Sequence, residues 1–176
     1  MKKIWPKNID MPILVDDEDY DRLNQYNWFI SKQGYAVRNV KVGDKWTRYS
    51  MHREILQVDK GMDVEHKDQN RLNNQKSNLR ASTRSQNMAN VRKIKSLTSH
   101  SKYKGVSRIK RKNLKNQWLA YIRKDYKTHY LGYFFTEAEA ARAYNAKAPE
   151  LFGEFASLNE VPEDDIEGEN NTALVL

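Results

Sequence analysis

The 176-residue sequence predicts an α+β protein made of small antiparallel sheets and separate helices. Residues 34–42 and 45–51 alternate apolar and polar side chains, and Gly43 lies in the two-residue connection between them, as in a tight β-hairpin. Thr83 and Thr136 each begin a capping box, in which a Thr and a Glu or Gln three residues later satisfy exposed backbone donors reciprocally. Strand-like runs followed by single helices are therefore expected in both halves of the chain.

The first half of the chain is predicted to hold an N-terminal lead-in, residues 1–44, and a module, residues 45–92. In the lead-in, Asp16 or Asp17 caps a short helix that carries Leu23 on one side. Tyr26 and Phe29 are further candidates for that side. The elements predicted for the module are a strand at 62–66, an Asn-rich loop at 67–78 and a helix from Ser82 or Thr83.

The second half is predicted to begin with a basic linker, residues 93–102, and to end with an acidic tail, residues 160–176. Between them lies a domain at 103–159, in which Ala138, Ala141, Tyr144 and Ala148 recur at helical spacing. Its predicted elements are strands near 103–109, 117–124 and 128–134 and a helix over 137–149.

Charge placement predicts a nucleic-acid partner. The net charge is +8, yet residues 91–135 hold thirteen Lys or Arg beside the single acid Asp125, and residues 136–176 hold ten acids. A dense basic block with interleaved aromatics is typical of nucleic-acid binders. Zero Cys excludes disulfides, thiolate catalysis and Cys-based zinc sites. We expect a cytoplasmic protein without a membrane span or secretory signal.

A first group of polar residues could carry chemistry. Glu65 and His66 end the predicted strand, Asn78 closes the Asn-rich loop, and Asn87 lies on the following helix. Carboxylate and amide oxygens suit a hard divalent cation, and a neutral His beside it can take a proton from water attacking a phosphate. Spacing alone leaves the simpler interpretation open, because Asn-rich loops are usually turns and a lone His is usually structural.

This stretch resembles the HNH nuclease motif, specifically the homing-endonuclease branch found in phages and mobile introns. The resemblance covers residues 45–92, including Met51-His52-Arg53, and it implies a ββα-metal fold around one Mg²⁺ or similar cation such as Mn²⁺. It implies His66 as the general base and Asn78 as the residue that holds the loop and orients the His66 ring. Glu65 and Asn87 would be the metal ligands, with Glu65 standing where the family usually has Asp.

The remaining histidines and loop residues are not expected to take part in chemistry. His52 is expected to be structural, with phosphate contact as an alternative, and His100 has no evident role. Asp68, Asn70, Asn73 and Asn74 are expected to be turn residues.

Residues 101–159 resemble the plant APETALA/ethylene-response-factor DNA-binding domain, through Tyr103-Lys104-Gly105-Val106, Trp118-Leu119-Ala120-Tyr121 and the helix at Thr136. The implied fold is a three-stranded antiparallel sheet packed on one helix. Strand alternation places Trp118, Ala120 and Ile122 toward the helix, and Leu119, Tyr121, Arg123 and Tyr130 on the opposite face. The predicted DNA contacts are Arg108, Arg111, Arg123, Tyr121, Tyr130, Lys104, Lys110, Lys112, Lys124 and Lys127. Ser107, Tyr121 and Tyr130 replace some of the plant family's usual contacts, so its base preference does not transfer.

With these resemblances, the sequence predicts a site-recognising HNH DNA endonuclease that binds double-stranded DNA and has no evident protein partner. A monomer that nicks its target is favoured, while cutting of both strands and assembly of two copies stay open. Two alternatives stay open. One is a non-enzymatic DNA-binding regulator with a degenerate HNH site, and the other is an RNA-binding module, since aromatics on a basic sheet also suit unstacked bases.

Overall fold

The chain divides after Asn87 into two units, Met1–Asn87 and Met88–Leu176. The computed structural model describes residues 1–93, 100–109 and 118–163. Most of the predicted linker and the larger part of the predicted tail lie outside the described residues. Among those described, no helix combines the length and the apolar character needed to cross a bilayer.

Short antiparallel strands and short helices make up the first unit. Three sheets form, with β1 on β2, β4 between β3 and β5, and β6 on β7. The elements are β1 (Lys2–Ile4), β2 (Ile13–Val15), α1 (Asp17–Asn24), β3 (Phe29–Ile30), β4 (Ala36–Val42), β5 (Lys45–Ser50), α2 (Met51–Leu56), β6 (Asp63–His66) and β7 (Leu79–Ser82). Helix α3 (Arg84–Asn90) begins in this unit and continues past the division after Asn87.

One hydrophobic core supports these elements. Trp28 is 1% exposed, and its indole Nε1 donates to the Leu23 carbonyl at 2.8 Å, so the large ring is buried with its polar atom satisfied. The buried members of the core are Ile4, Ile13, Val15, Leu23, Trp28, Ala36, Met51, Ile55, Val64 and Leu79. Val64 on β6 and Leu79 on β7 anchor that strand pair to the rest of the unit.

The first half follows the predicted pattern in its hairpin and differs from it elsewhere. Val42 pairs with Lys45, which confirms the two-residue turn, and Gly43 has a φ of 58° there. Predicted strand 45–51 ends at Ser50, because Met51 begins a helix too short to show a period. Phe29 lies in β3 rather than on the helix side with Leu23.

The second unit is a three-stranded antiparallel sheet with one long helix. Its elements are β8 (Val106–Arg108), β9 (Trp118–Lys124), β10 (Lys127–Phe134), α4 (Glu137–Phe152) and a 3₁₀ turn (Gly153–Phe155), with β9 at the centre of the sheet. Thr136 and Glu139 form the predicted capping box. Helix α4 continues past Pro149 and ends three residues beyond the predicted end.

The apolar face of α4 packs on the sheet as its spacing predicts. Ala138, Ala141, Tyr144 and Ala148 are all buried, and Ala120 and Ile122 of β9 lie in the same clusters. Val161 also packs there, so the predicted tail begins with a residue attached to the domain.

Candidate active site

Strands β6 and β7 present polar side chains on two faces. Glu65 lies opposite Arg80, and His66 lies opposite Leu79. Successive side chains on a strand point to opposite faces. Asp63 and Glu65 therefore share one face of β6, whereas Val64 and His66 lie on the other.

Asn78 fixes the loop between the two strands. Its amide Nδ2 donates to Asp68 Oδ1 at 2.9 Å and to the Asn73 carbonyl at 2.8 Å, and its Oδ1 accepts from the Asp68 backbone N–H at 3.1 Å. Burial by itself would raise the pKa of Asp68, but hydrogen bonds from Asn73, Asn70 and Asn78 lower that pKa below its usual range. The loop is thus built around one ionised carboxylate.

The amide that contacts the imidazole of His66 belongs to Asn74. Asn74 Oδ1 lies 3.4 Å from His66 Nε2, and Asn74 Nδ2 donates to the Arg71 carbonyl at 3.2 Å, which sets the orientation of the amide. A hydrogen bond to this oxygen requires the tautomer that carries its proton on Nε2, and in that tautomer Nδ1 is the basic nitrogen. His66 is 4% exposed, and burial lowers its pKa, so the ring is neutral near pH 7.

Asn74 makes the turn contact that the sequence predicts, to the Arg71 carbonyl, and in addition it contacts His66, which the sequence did not predict. Asn78 holds the loop, as expected, while the ring-orienting contact comes from Asn74, which is 1% exposed. The local sequence offers several Asn in succession, and only the burial of one of them distinguishes it.

Strand β2 and the residue that follows it, Asp16, form hydrogen bonds with the loop between β6 and β7. The Leu14 carbonyl of β2 accepts from the Asn74 backbone N–H at 2.8 Å, and the Leu14 N–H donates to the Leu72 carbonyl at 2.8 Å. The carboxylate of Asp16 accepts from the Lys76 N–H at 2.7 Å and from Gln75 Nε2 at 3.1 Å.

His66 also has two ring neighbours that the sequence did not connect with it. The ring centroid of His52 lies 5.4 Å from that of His66, and the centroid of Tyr35 lies 6.0 Å from it. Nδ1 of His52 is buried and has no hydrogen-bond partner within the described part of the chain. Burial, with a smaller effect of His66, lowers the pKa of His52 to about 3, so both imidazoles are neutral at ordinary pH.

Glu65, the first predicted metal ligand, is a buried ion-pair partner. It is 3% exposed, and its Oε1 accepts from Nε of Arg80, the residue opposite it on β7. Two buried opposite charges in direct contact neutralise one another in a medium of low polarity.

Asn87, the second predicted ligand, contacts a different acid. Its Nδ2 donates to Asp63 Oδ2 at 2.9 Å. The Asp63 side chain is 31% exposed, and Arg84 approaches the same oxygen at 3.6 Å from a side chain that is 74% exposed. Asp63 is not among the residues that the sequence predicts for the site, although its place two residues before Glu65 puts it on the same face of the strand.

The donor set on this face fits a hard divalent cation. No cluster of three or more His, Cys, Asp or Glu able to hold a metal exists among the residues that the structure describes. The face combines carboxylates with the amide of Asn87, however, and carboxylate and amide oxygens with water complete the coordination that Mg²⁺ prefers.

The outer face of the second unit's sheet carries the predicted aromatic and basic residues. Tyr121 lies directly opposite Tyr130, as alternation predicts, and Tyr130 is 61% exposed. Arg123 is exposed on this face. Arg108 is exposed too, but it pairs with Trp118 and shares the strand face of Val106, so alternation places it on the helix side of the sheet. Its guanidinium lies 5.9 Å from the ring centre of Trp118. Three other predicted contacts, Lys110, Arg111 and Lys112, lie outside the described residues.

Two lysines predicted to bind DNA donate hydrogen bonds to backbone carbonyls near the C-termini of helices. Lys104 Nζ donates to the carbonyls of Met88 at 3.2 Å and Val91 at 2.7 Å and also to that of Ala89, and burial lowers its pKa to about 8. Lys124 Nζ donates to the Leu151 carbonyl of α4 at 2.9 Å. Cations satisfy the unpaired carbonyls at helix C-termini, so both ammonium groups have a structural role, and their contacts with DNA stay predictions.

A strand pair, an Asn-rich loop and a helix thus hold the buried imidazole of His66 and, on the other strand face, carboxylates with the amide of Asn87. The sequence model of the family described as HNH endonuclease matches residues 57–89. An uncharacterized HNH endonuclease of Acanthamoeba polyphaga mimivirus is 36% identical over 141 residues, which cover 79% of this chain and 70% of that protein. The chain belongs to the HNH endonuclease family.

A solved structure is similar over a shorter stretch. It is that of the HNH homing endonuclease I-HmuI, described as DNA binding and cleavage. The match has 31% identity and a TM-score of 0.32, and it covers 35% of this chain and 38% of the I-HmuI chain.

Proposed function

We propose that this HNH family member is a metal-dependent DNA endonuclease of the homing type, in which the first unit cuts a phosphodiester bond and the second binds the target. The observation that carries the proposal is the buried, neutral imidazole of His66, oriented by Asn74, inside the stretch that matches the family. A neutral imidazole in a fixed orientation can accept a proton from an attacking water.

Each residue of the site then has a stated task. His66 Nδ1 accepts the proton of the water, and Asn74 keeps the ring in the tautomer that allows this. Asn78 holds the loop through Asp68, which keeps Asn74 in place. A divalent cation such as Mg²⁺ or Mn²⁺, held by Asn87 and a carboxylate of β6, would neutralise charge on the phosphate that is cut.

The second unit is proposed to bind double-stranded DNA as an APETALA/ethylene-response-factor-type domain. Its antiparallel sheet, packed on one helix, leaves an outer face of aromatic and basic side chains, and a β-sheet can enter the major groove. The proposed contacts are Arg108, Arg123, Tyr121 and Tyr130, with Lys110 and Arg111 added from the sequence.

The experiment compares wild type with His66→Ala on supercoiled DNA that carries the natural site, with Mg²⁺, Mn²⁺ or EDTA. Wild type should convert the DNA to open circles in the presence of metal, as a monomer that nicks would, and His66→Ala should not. The matched control is His100→Ala, which removes an exposed imidazole and should leave cutting unchanged. Uncut DNA in every wild-type reaction, or equal cutting by His66→Ala, would refute the proposal.

A second candidate function is a DNA-binding regulator with a decayed metal site. The ion pair of Glu65 with Arg80 favours it, because a carboxylate held by a guanidinium is a poor cation ligand. This candidate predicts sequence-specific binding that EDTA does not alter, together with no cutting in any metal.

A further inference from the structure

The turn between β9 and β10 holds two side chains in a backbone conformation that favours glycine. Lys124 pairs with Lys127, so Asp125 and Tyr126 form a two-residue turn, and their φ angles are 48° and 63°. Two successive residues at positive φ are the mark of a type I′ hairpin turn. Residues that carry a Cβ rarely adopt this left-handed conformation, because the Cβ then lies too close to the following carbonyl oxygen.

Tyrosine is an unfavourable residue for this turn if folding alone is considered. Aspartate at position 125 tolerates the left-handed conformation, because its short polar side chain can bond to the local backbone. The tyrosine ring at the next position has no such compensation. The turn between β4 and β5 has Gly43 at a φ of 58°, and Asp followed by Gly is a preferred pair for a type I′ turn. A change of Tyr126 to glycine would therefore relieve the backbone.

The ring of Tyr126 contributes nothing to the packing of the fold. Its side chain is fully exposed, so the whole apolar surface of the ring remains available to a partner. A buried aromatic ring is one of the largest favourable contributions to an interface. Strained backbone positions are found most often at binding and catalytic sites, where the strain accompanies a functional side chain. Strain and full exposure at the same residue indicate a contact with another molecule.

The surroundings of the turn are complementary to DNA. The outer face of the sheet leads toward the turn, first through the pair of Tyr121 with Tyr130 and then through Arg123. Arg123 and Lys127 are exposed beside the turn, and they outnumber its single acid, Asp125. A phosphate backbone that lies on this face meets positive charge at the end of the sheet. An aromatic ring beyond that end can pack on a sugar or a base.

We propose that Tyr126 is a DNA-contacting residue whose ring packs against a sugar or a base of the target duplex. The inference rests on the proposed function, because it requires the second unit to bind DNA. The ring is uncharged, so its contact releases no counterion and leaves the salt dependence of binding unchanged. The tyrosine makes the turn less stable than glycine would and makes the affinity for DNA higher.

The experiment compares full-length wild type with Tyr126→Gly in two measurements. Fluorescence anisotropy of a labelled duplex that carries the natural site gives the DNA affinity at several salt concentrations, and calorimetry gives the melting temperature. Tyr126→Gly should weaken DNA binding at least about fivefold without changing the salt dependence. It should also raise the melting temperature by about 2 °C or more, because glycine relieves the turn. A damaged fold would lower both quantities together.

Three more variants separate the ring from the backbone. Tyr126→Phe keeps the ring and should bind DNA within twofold of wild type. Tyr126→Ala removes the ring but keeps a Cβ in the turn, so it should lose affinity as Tyr126→Gly does and gain no stability. The matched control is Gln57→Gly, because Gln57 is exposed at the end of α2 with a φ of 48°. This control should melt at a higher temperature and keep its DNA affinity.

The outcomes distinguish this inference from the proposed function. Wild-type affinity in Tyr126→Gly, or a loss of affinity that is as large in Tyr126→Phe, overturns the inference and leaves the function standing. A loss in Tyr126→Gly that comes with a lower melting temperature overturns it too, since the ring would then support the fold. Weaker binding by Tyr126→Gly, when wild type binds DNA but leaves it uncut, supports the inference and refutes the endonuclease. No DNA binding by wild type overturns both.

Discussion

Replacing Gly105 with Ala should unfold or severely loosen the second unit. Gly105 precedes β8 with a φ of +70°, a conformation that side chains with a Cβ rarely adopt. A Cβ there would lie 2.1 Å from Cδ2 of Tyr144 and 2.5 Å from the carbonyl oxygen of Tyr121. Tyr144 is 2% exposed on α4, so its ring has no open space into which it can move.

The expected cost follows from these distances. Carbon atoms normally approach to about 3.5–4.0 Å, so the 2.1 Å contact must open by about 1.4 Å or more. Overpacking of an interior costs about 1–3 kcal/mol, and a left-handed residue with a Cβ costs about 1–2 kcal/mol more. A total of about 2–5 kcal/mol lowers the melting temperature of a unit of this size by at least about 8 °C.

Calorimetric unfolding and DNA binding together test this prediction. Gly43→Ala is the matched control, because Gly43 has a φ of +58° with nothing within 4 Å of the added Cβ. It should lose only the conformational contribution, about 1–2 kcal/mol, and keep DNA affinity. If Gly105→Ala melts no lower than Gly43→Ala, the proposed close packing of α4 on β8 and β9 is wrong.

Three further predictions follow from the histidines and lysines. Asn74→Ala should slow cleavage at least tenfold at unchanged DNA affinity, because the His66 ring loses the oxygen that sets its tautomer; equal single-turnover rates would contradict this. The folded pKa of His52, about 3, lies below its unfolded value of about 6.5, so the free energy of unfolding should fall as the pH drops from 6.5 to 3. In urea unfolding at pH 5, His52→Phe should recover about 2 kcal/mol of this loss. A variant whose stability depends on pH as that of wild type does would contradict this prediction. Arg123→Ala should reduce the slope of log DNA affinity against log salt concentration by about 0.9, because one phosphate contact is lost. Lys104→Met removes an ammonium that donates to carbonyls, so it should leave this slope unchanged. Equal slopes for the two variants would show that Arg123 and Lys104 do not differ in their contact with DNA.

Local patterns predicted the elements well wherever local chemistry decides them. The turn at Gly43, the capping boxes at Thr83 and Thr136 and the small-residue face of α4 all depend on side chains within a few positions of one another. Such features can be predicted from the sequence because the interactions that cause them are local. Helix α2 and strand β7 are too short to show a period, and packing against the core decides them.

The candidate site was predictable in its residue types and less so in its pairings. His66 and Asn78 stand on the strand and loop where the motif places them. The partners of Glu65 and Asn87 depend on strand register and on how α3 lies against β6, and neither can be read from spacing along the chain. The surroundings of Lys104 could not be predicted for the same reason, because sequence shows a positive charge but not the carbonyls to which it donates.

The hydrogen bonds from Leu14 and Asp16 to the loop at 72–76 show that the first unit extends well upstream of the family motif. The stretch that carries the family motif begins more than forty residues later, yet the geometry around its histidine depends on a strand near the first residue of the sequence. A fragment trimmed to the motif would keep His66 and the proposed site residues around it and lose these hydrogen bonds to the loop. Moving the proposed site to another scaffold therefore means moving the amino-terminal strand as well.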